Sequence, residues 1–153
     1  MTALGTDTNL RQAWLKTILI AAKAAGHIFP DYAACEAALE SGYGASQLAR
    51  EHNNLFGMKQ HAHPVFTTVE LPTWEVVHGQ NVRTAASFIH YPTLADCFKD
   101  RMATLQHVAS YKAAREAKDG KTFVIEVSKH WSTDPRRAQK VLAIHDQFAG
   151  VMG

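Results

Sequence analysis

Three things are scarce in this sequence: cysteine, charge of one sign, and long apolar runs. Only two cysteines occur, Cys35 and Cys97, both in segments of helical pattern, and they read as buried free thiols acting as small apolar groups. Sixteen Lys and Arg stand against 14 Asp and Glu, a formal charge of +2 with no basic block, so the electrostatic footprint of nucleic-acid binding is missing. No segment is apolar for long enough to span a membrane. Residues 14–25 approach a signal-peptide core ending in Ala-Lys-Ala, but Lys16 and Lys23 interrupt it. Leu10, Trp14, Ile18, Ala21 and Ala25 instead recur with the 3.6-residue period of a packing helix. Of nine histidines the only closely spaced pair is His61-x-His63, and no helix carries two at i, i+4, so neither a metal site nor a cofactor is expected.

What is present suffices for one core: 46% of the 153 residues are hydrophobic. Residues 1–8 read as a loose tail and 9–153 as a single domain. A first helix is predicted from Asn9 to Ala25, stopped by Gly26. A second opens at Pro30, whose missing N–H costs nothing in a first turn, and ends in Ser41-Gly42-Tyr43-Gly44. A short helical turn over 46–51 follows. From Val65 to His90 β-branched residues alternate, with His78-Gly79-Gln80-Asn81 as the reversal, which predicts a small antiparallel hairpin inserted into a helical protein. Thr93 with Asp96 caps a helix to His107. Further helices are expected over 111–117, from a Thr122 cap to His130, and from Asp134-Pro135 to Ala149.

Glu40 occupies the last turn of the second helix, where unpaired carbonyls amount to about half a negative charge. A carboxylate is disfavoured there, and any exclusion of water by Leu39 and Tyr43 acts in the same direction. Both effects help a carboxylic acid hold a proton for a leaving oxygen. Gly42 and Gly44 leave room for a bulky polymer to approach. Taken alone, a helix-end Glu is ordinarily just a solvated charge.

The run Ala37-Ala38-Leu39-Glu40-Ser41-Gly42-Tyr43-Gly44, with Asn54-Leu55-Phe56-Gly57-Met58-Lys59 after it, resembles the signature of glycoside hydrolase family 73, the peptidoglycan N-acetylglucosaminidases. Thr73-Trp74-Glu75-Val76-Val77-His78-Gly79 resembles that family's hairpin motif, Phe88-Ile89-His90-Tyr91 its next strand, and Ser132-Thr133-Asp134-Pro135 with Lys140-Val141 its terminal motif. Five short motifs in order cover residues 10–148. The resemblance implies an α+β, mainly α fold: a lysozyme-like helical domain with a small antiparallel hairpin lobe flanking the active-site groove. It makes Glu40 the general acid and Glu75 the second carboxylate, which an oxocarbenium-like transition state requires on the opposite face of the sugar. Glu70 is the local rival; in an unbroken strand the two would occupy opposite faces, although Pro72 unsettles that count.

Tyr43, Asn54, Phe56, Trp74, Tyr91 and Trp131 are the expected substrate-binding residues. Alternative readings stand beside several of them: the Asn54 amide holds either a loop or an N-acetyl group, Phe56 packs the groove floor, and Trp74 and Tyr91 either stack on sugars or fill a core. Two departures from the family pattern stand out. Trp131 replaces a tyrosine, and an indole donates one hydrogen bond but accepts none. Glu36 replaces a neutral residue one turn before Glu40; it either raises the acid's proton affinity by like-charge repulsion or is turned to solvent or paired with a lysine or arginine.

The expected partner is the glycan strand of peptidoglycan, with no nucleic acid or membrane, acted on by a monomer at the cell wall, outside the cytoplasm. A phage lysin or an excised domain of an exported enzyme would both fit. A lytic transglycosylase using Glu40 alone and a non-catalytic glycan-binding module are the competing functions.

Overall fold

The computed structural model describes residues 7–61 and 66–152, so the expected tail lies outside the described residues up to residue 6, as does His63. Asp7 and Thr8 are part of the fold, not of a tail. Asp7 caps α1 (Thr8–Ala24), its carboxylate accepting from the amides of Asn9 and Leu10. The chain continues through α2 (Pro30–Ser41), α3 (Gln47–His52), strands β1 (Thr68–Val77) and β2 (Gln80–Ile89), and α4 (Leu94–His107). A 3-10 turn at Ala109–Tyr111 follows, then α5 (Lys112–Arg115), α6 (Gly120–Trp131), α7 (Arg137–Gln147) and α8 (Ala149–Met152). The result is the mainly helical domain with one small antiparallel hairpin that the sequence predicts.

α2 is the axle. Ala33, Ala34, Cys35, Glu36, Ala37 and Ala38 are all buried, because alanine-sized side chains let α1, α6 and α7 approach it from several sides. Around it pack Leu15, Ile18 and Leu19 of α1, Phe98 and Leu105 of α4, Phe123, Val124 and Val127 of α6, and Val141 of α7. Each of the fully buried large side chains contributes roughly 1.5–3 kcal/mol. The buried stripe of α1 is Leu15, Ile18, Leu19 and Ala22; Leu10, expected on it, is 40% exposed. Cys35 and Cys97 are both buried and free, their thiols pushed up to about 12 chiefly by burial.

Two helix starts differ from expectation. Asp119, not Thr122, caps α6, and its carboxylate accepts from the Thr122 amide. Asp134 and Pro135 precede α7 as a turn; the Asp134 side chain accepts from the Arg136 amide and its carbonyl from that of Arg137, so the helix opens two residues later than a cap at Asp134 requires. The end near Ala149 is the junction with α8.

In the hairpin, Thr68 pairs with Ile89 and Val77 with Gln80, in unbroken register. Its two-residue turn, His78-Gly79, has φ +51° and +77°, the paired positive values that match strand twist. Pro72 breaks nothing: in a two-stranded sheet both strands are edges, so a missing N–H can face outward. The hairpin is anchored at its base, where the Ile89 amide donates to the Met58 carbonyl and the Gln60 amide to that of Ser87. Phe88 and Ile89 are buried, whereas every residue from Trp74 to Arg83 is exposed.

Candidate active site

Glu40 stands on the last turn of α2, which stops because Gly42 adopts a left-handed conformation (φ +58°) and donates its amide to Ala38. The following loop is held by Ser41, whose hydroxyl donates to the Ala37 carbonyl and accepts from the Gly44 amide. A Cβ on Gly44 would lie 2.4 Å from the Trp14 indole nitrogen. Gly42 therefore serves the helix end and Gly44 a close approach of α1.

Glu40 lines a groove of about 290 Å³, together with Ser46, Asn54 and Gly57 and, from the hairpin, Leu71 and Thr73. At Gly57 this hollow meets a second of about 380 Å³, which contains Phe56, Lys59, Tyr111 and Trp131. An extended cleft of this kind suits a polymer better than a closed pocket does.

Arg137 is a partner that the motifs do not reveal. Its Nε donates to Glu40 Oε1 at 2.8 Å, its Nη1 to the Ser128 hydroxyl at 2.8 Å, and its Nη2 to Glu36 Oε2 at 2.8 Å. Glu36 is fully buried and also receives a two-pronged bond from Arg101, at 3.0 and 2.7 Å. Burial alone would push the Glu36 carboxyl up, but the two guanidinium groups and their hydrogen bonds outweigh it and hold the group below the ordinary carboxylate range. The paired alternative for Glu36 is thus the observed one, and its charge is compensated rather than left to repel Glu40. Burial also opposes the charge on Arg137, and Glu36 with Glu40 overcomes that, raising its proton affinity further.

Arg101 completes the cluster from α4. Its guanidinium lies over Phe56 (4.5 Å) and Trp131 (4.3 Å), while its Nε is buried with no hydrogen-bond partner among the described residues. His27 approaches from the loop before α2. Burial and Arg101 push it down to about 4, against a bond to the Ile28 carbonyl and the pull of Glu36, so it is neutral near pH 7. Its Nδ1–H then donates to Ile28, and Nε2 faces Arg101 at 3.5 Å.

The second carboxylate is held differently. Along β1 the half-buried residues are Val69, Leu71 and Thr73, and alternation puts Glu75 on that same face and Glu70 on the other. Glu75 is half-exposed, and Lys59 Nζ lies 3.5 Å from its Oε1. Trp74 falls on the Glu70 face, 64% exposed, with the Arg83 guanidinium 5.9 Å from its ring centre, so it is not a wall of the groove in this conformation.

The other expected binding residues divide. Phe56 and Trp131 meet edge to face at 6.1 Å and border the second hollow. Tyr111, which the sequence did not single out, lies 5.8 Å from Trp131 and brings a phenol into the hollow where the family tyrosine is replaced. Three are engaged within the protein. Asn54 is buried and spends its amide on the loop: Nδ2 donates to the Met58 and Ile89 carbonyls, and Oδ1 accepts from the Met58 amide. Tyr91 is fully buried and donates to Asp100; burial and this bond push its hydroxyl far above the ordinary range. Tyr43 is packed between Trp14 and Phe148 under the Arg11 guanidinium.

The helical body thus carries an acidic helix end in an open groove, with a hairpin along its rim. A family model described as mannosyl-glycoprotein endo-beta-N-acetylglucosaminidase matches residues 16–149, and the chain belongs to this family, the glucosaminidases of glycoside hydrolase family 73. Exo-glucosaminidase LytG of Bacillus subtilis is 31% identical over 128 residues, which are 80% of this chain and 45% of that protein. Peptidoglycan hydrolase FlgJ of Pseudomonas aeruginosa is 32% identical over 137 residues, 84% and 34% of the two chains. The chain therefore spans less than half the length of these relatives. Among solved structures, the catalytic domain of the autolysin Auto from Listeria monocytogenes shares the fold with a TM-score of 0.79 at 24% identity, over 98% of this chain and 90% of that one.

Proposed function

We propose that this chain hydrolyses the β-1,4 bond between N-acetylglucosamine and N-acetylmuramic acid in peptidoglycan, at the cell wall, with Glu40 as general acid and Glu75 as second carboxylate. The observation that carries this reading is the clamp on Glu40: Arg137 binds Oε1 in the groove, which leaves Oε2 to carry the proton to the leaving oxygen. The relatives support the substrate through their names, a glucosaminidase and a peptidoglycan hydrolase.

Glu75 extends the hairpin face whose Leu71 and Thr73 already border the groove. Its role is to activate water or to stabilise the developing positive charge from the far side of the sugar. The outer hairpin makes few contacts with the body, and we expect it to close on the glycan and bring the two carboxyls nearer than they are without ligand. Equal separations in free and glycan-bound structures would count against closure.

Mass spectrometry of peptidoglycan digested by wild type, Glu40→Gln and Glu75→Gln tests the whole assignment. Wild type should release fragments ending in reducing N-acetylglucosamine. Glu40→Gln should lose on the order of 10³-fold in rate while still binding wall material. Products with 1,6-anhydro ends, together with full activity of Glu75→Gln, would mean a lytic transglycosylase. Wall binding with no new reducing ends from the wild type at any pH would mean a binding module.

A further inference from the structure

Glu36 never reaches the groove, yet it is one bond removed from Glu40. Both of its oxygens are held by guanidinium groups, and Arg137 is shared among Glu36, Ser128 and Glu40 through its three nitrogens. Arg137 is only 1% exposed, so water cannot take the place of a lost counter-charge. With Glu40 ionised, two carboxylates face two guanidiniums. With Glu40 protonated, Arg137 still faces Glu36.

We propose that Arg137 is the positioning residue of Glu40 and that Glu36 is the fixed counter-ion of Arg137, so that Arg137 keeps one carboxylate partner whether or not Glu40 carries its proton. The proposal rests on the reading of Glu40 as the acid. An arginine paired with Glu40 alone would resist protonation of that carboxylate, since the proton would leave the guanidinium uncompensated in a low-dielectric site. Sharing it with Glu36, which the two guanidiniums hold below the ordinary carboxylate range, lessens that resistance, while the Nε bond keeps the Glu40 side chain aimed. Among the described residues, the charged groups tied to the acid are Glu36 on its own helix, Arg137 from α7, and Arg101 from α4 behind Glu36, with the Tyr111 phenol near enough to interact with all three. His27 beyond Arg101 is neutral, and the Lys59–Glu75 pair belongs to the hairpin rim.

The test is the pH profile of kcat for wild type, Glu36→Gln, Arg137→Gln and Arg137→Lys on soluble glycan fragments, with Glu40→Gln as the reference. The alkaline limb reports loss of the acid's proton. Removing the Glu36 charge lets Arg137 act on Glu40 alone, and the limb should move to lower pH by about one unit. Removing the Arg137 charge should move it to higher pH. Opposite displacements cannot come from a merely structural role, which would lower activity or melting temperature without moving the limbs apart. Arg137→Lys keeps the charge but not the three-way fork, so kcat should fall about tenfold with KM within twofold and the limb nearly in place.

Displacements in the same direction, unmoved limbs, or wild-type kcat in Arg137→Lys would overturn the proposal. If the Gln variants fail to fold, the kcat and KM split of Arg137→Lys decides it. Full activity of Glu40→Gln would instead remove the acid assignment. In that case a carbon-13 titration of the Glu40 carboxyl in wild type and Arg137→Gln still reads the coupling itself, supporting it if the two titrate apart and overturning it if they coincide.

Discussion

The two carboxylates proposed to act together, Glu40 and Glu75, are built to opposite specifications. Glu40 rises from a helix packed on several sides, and its oxygen is held at 2.8 Å by an arginine that is itself buried and fully engaged. Glu75 rises from a two-stranded ribbon exposed from Trp74 to Arg83, with a lysine 3.5 Å away and both partners half in water. A two-stranded ribbon is marginally stable without support, and among the described residues the backbone hydrogen bonds that tie this one to the Asn54–Gln60 loop lie at its base. On the proposed roles the difference divides the labour: the helical body holds one group before substrate arrives, and the hairpin leaves the other free to be brought up by closure.

The contrast breaks most visibly in the body. Arg101→Met removes one guanidinium from Glu36 and leaves a buried carboxylate with Arg137 alone, which should cost about 3–5 kcal/mol. For a domain of this size that lowers the melting temperature by on the order of 10 °C. Differential scanning calorimetry would check it. A loss below about 1 kcal/mol would mean that the cluster is wetter and looser than the fold implies, and the contrast with Glu75 would weaken accordingly.

Acid probes the same cluster more gently through His27. Its folded value of about 4 lies below the ordinary 6.5, so the unfolded chain binds the extra proton first as pH falls. The stability it contributes is therefore fully present above pH 6.5 and is lost progressively between pH 6.5 and 4, up to about 3 kcal/mol. Melting curves of wild type and His27→Gln across that window should converge towards acid. Parallel curves would mean that His27 is not buried neutral beside Arg101.

Much of this was legible in the sequence, and what was not is instructive. Pro30 opening a helix, Gly42 ending it, and Thr93 paired with Asp96 all announce themselves because capping chemistry is local. Strand alternation alone separates Glu75 from Glu70 once β1 proves unbroken. The arginines were missed because their partners are distant in the chain, although a signal existed. Arg101 stands among Cys97, Phe98 and Leu105 on the buried face of α4, Glu36 stands in a run of alanines, and Arg137 shares a helix face with Val141. Charges of both signs on apolar faces of a small domain imply that they meet. Asn54 and Tyr91 stayed open between two readings for a related reason: a motif says that a residue matters, not whether its polar atoms face the glycan or the backbone.

The smallest expected effect lies at the rim. Lys59→Met removes the cation nearest Glu75, and since both groups are half-exposed and 3.5 Å apart, thermal stability should change by less than about 0.5 kcal/mol. The wild-type pair should also weaken with salt, as exposed charges are screened over about 10 Å at 0.1 M ionic strength. Activity is the more telling readout for the proposed role of Glu75, because freeing it from Lys59 leaves its strand position intact while removing the lysine beside its carboxylate. A destabilisation above about 1 kcal/mol would show that this pair fastens the hairpin to the Asn54–Lys59 loop. The hairpin would then be as fixed as the helical body, and the division between a clamped acid and a mobile partner would fall.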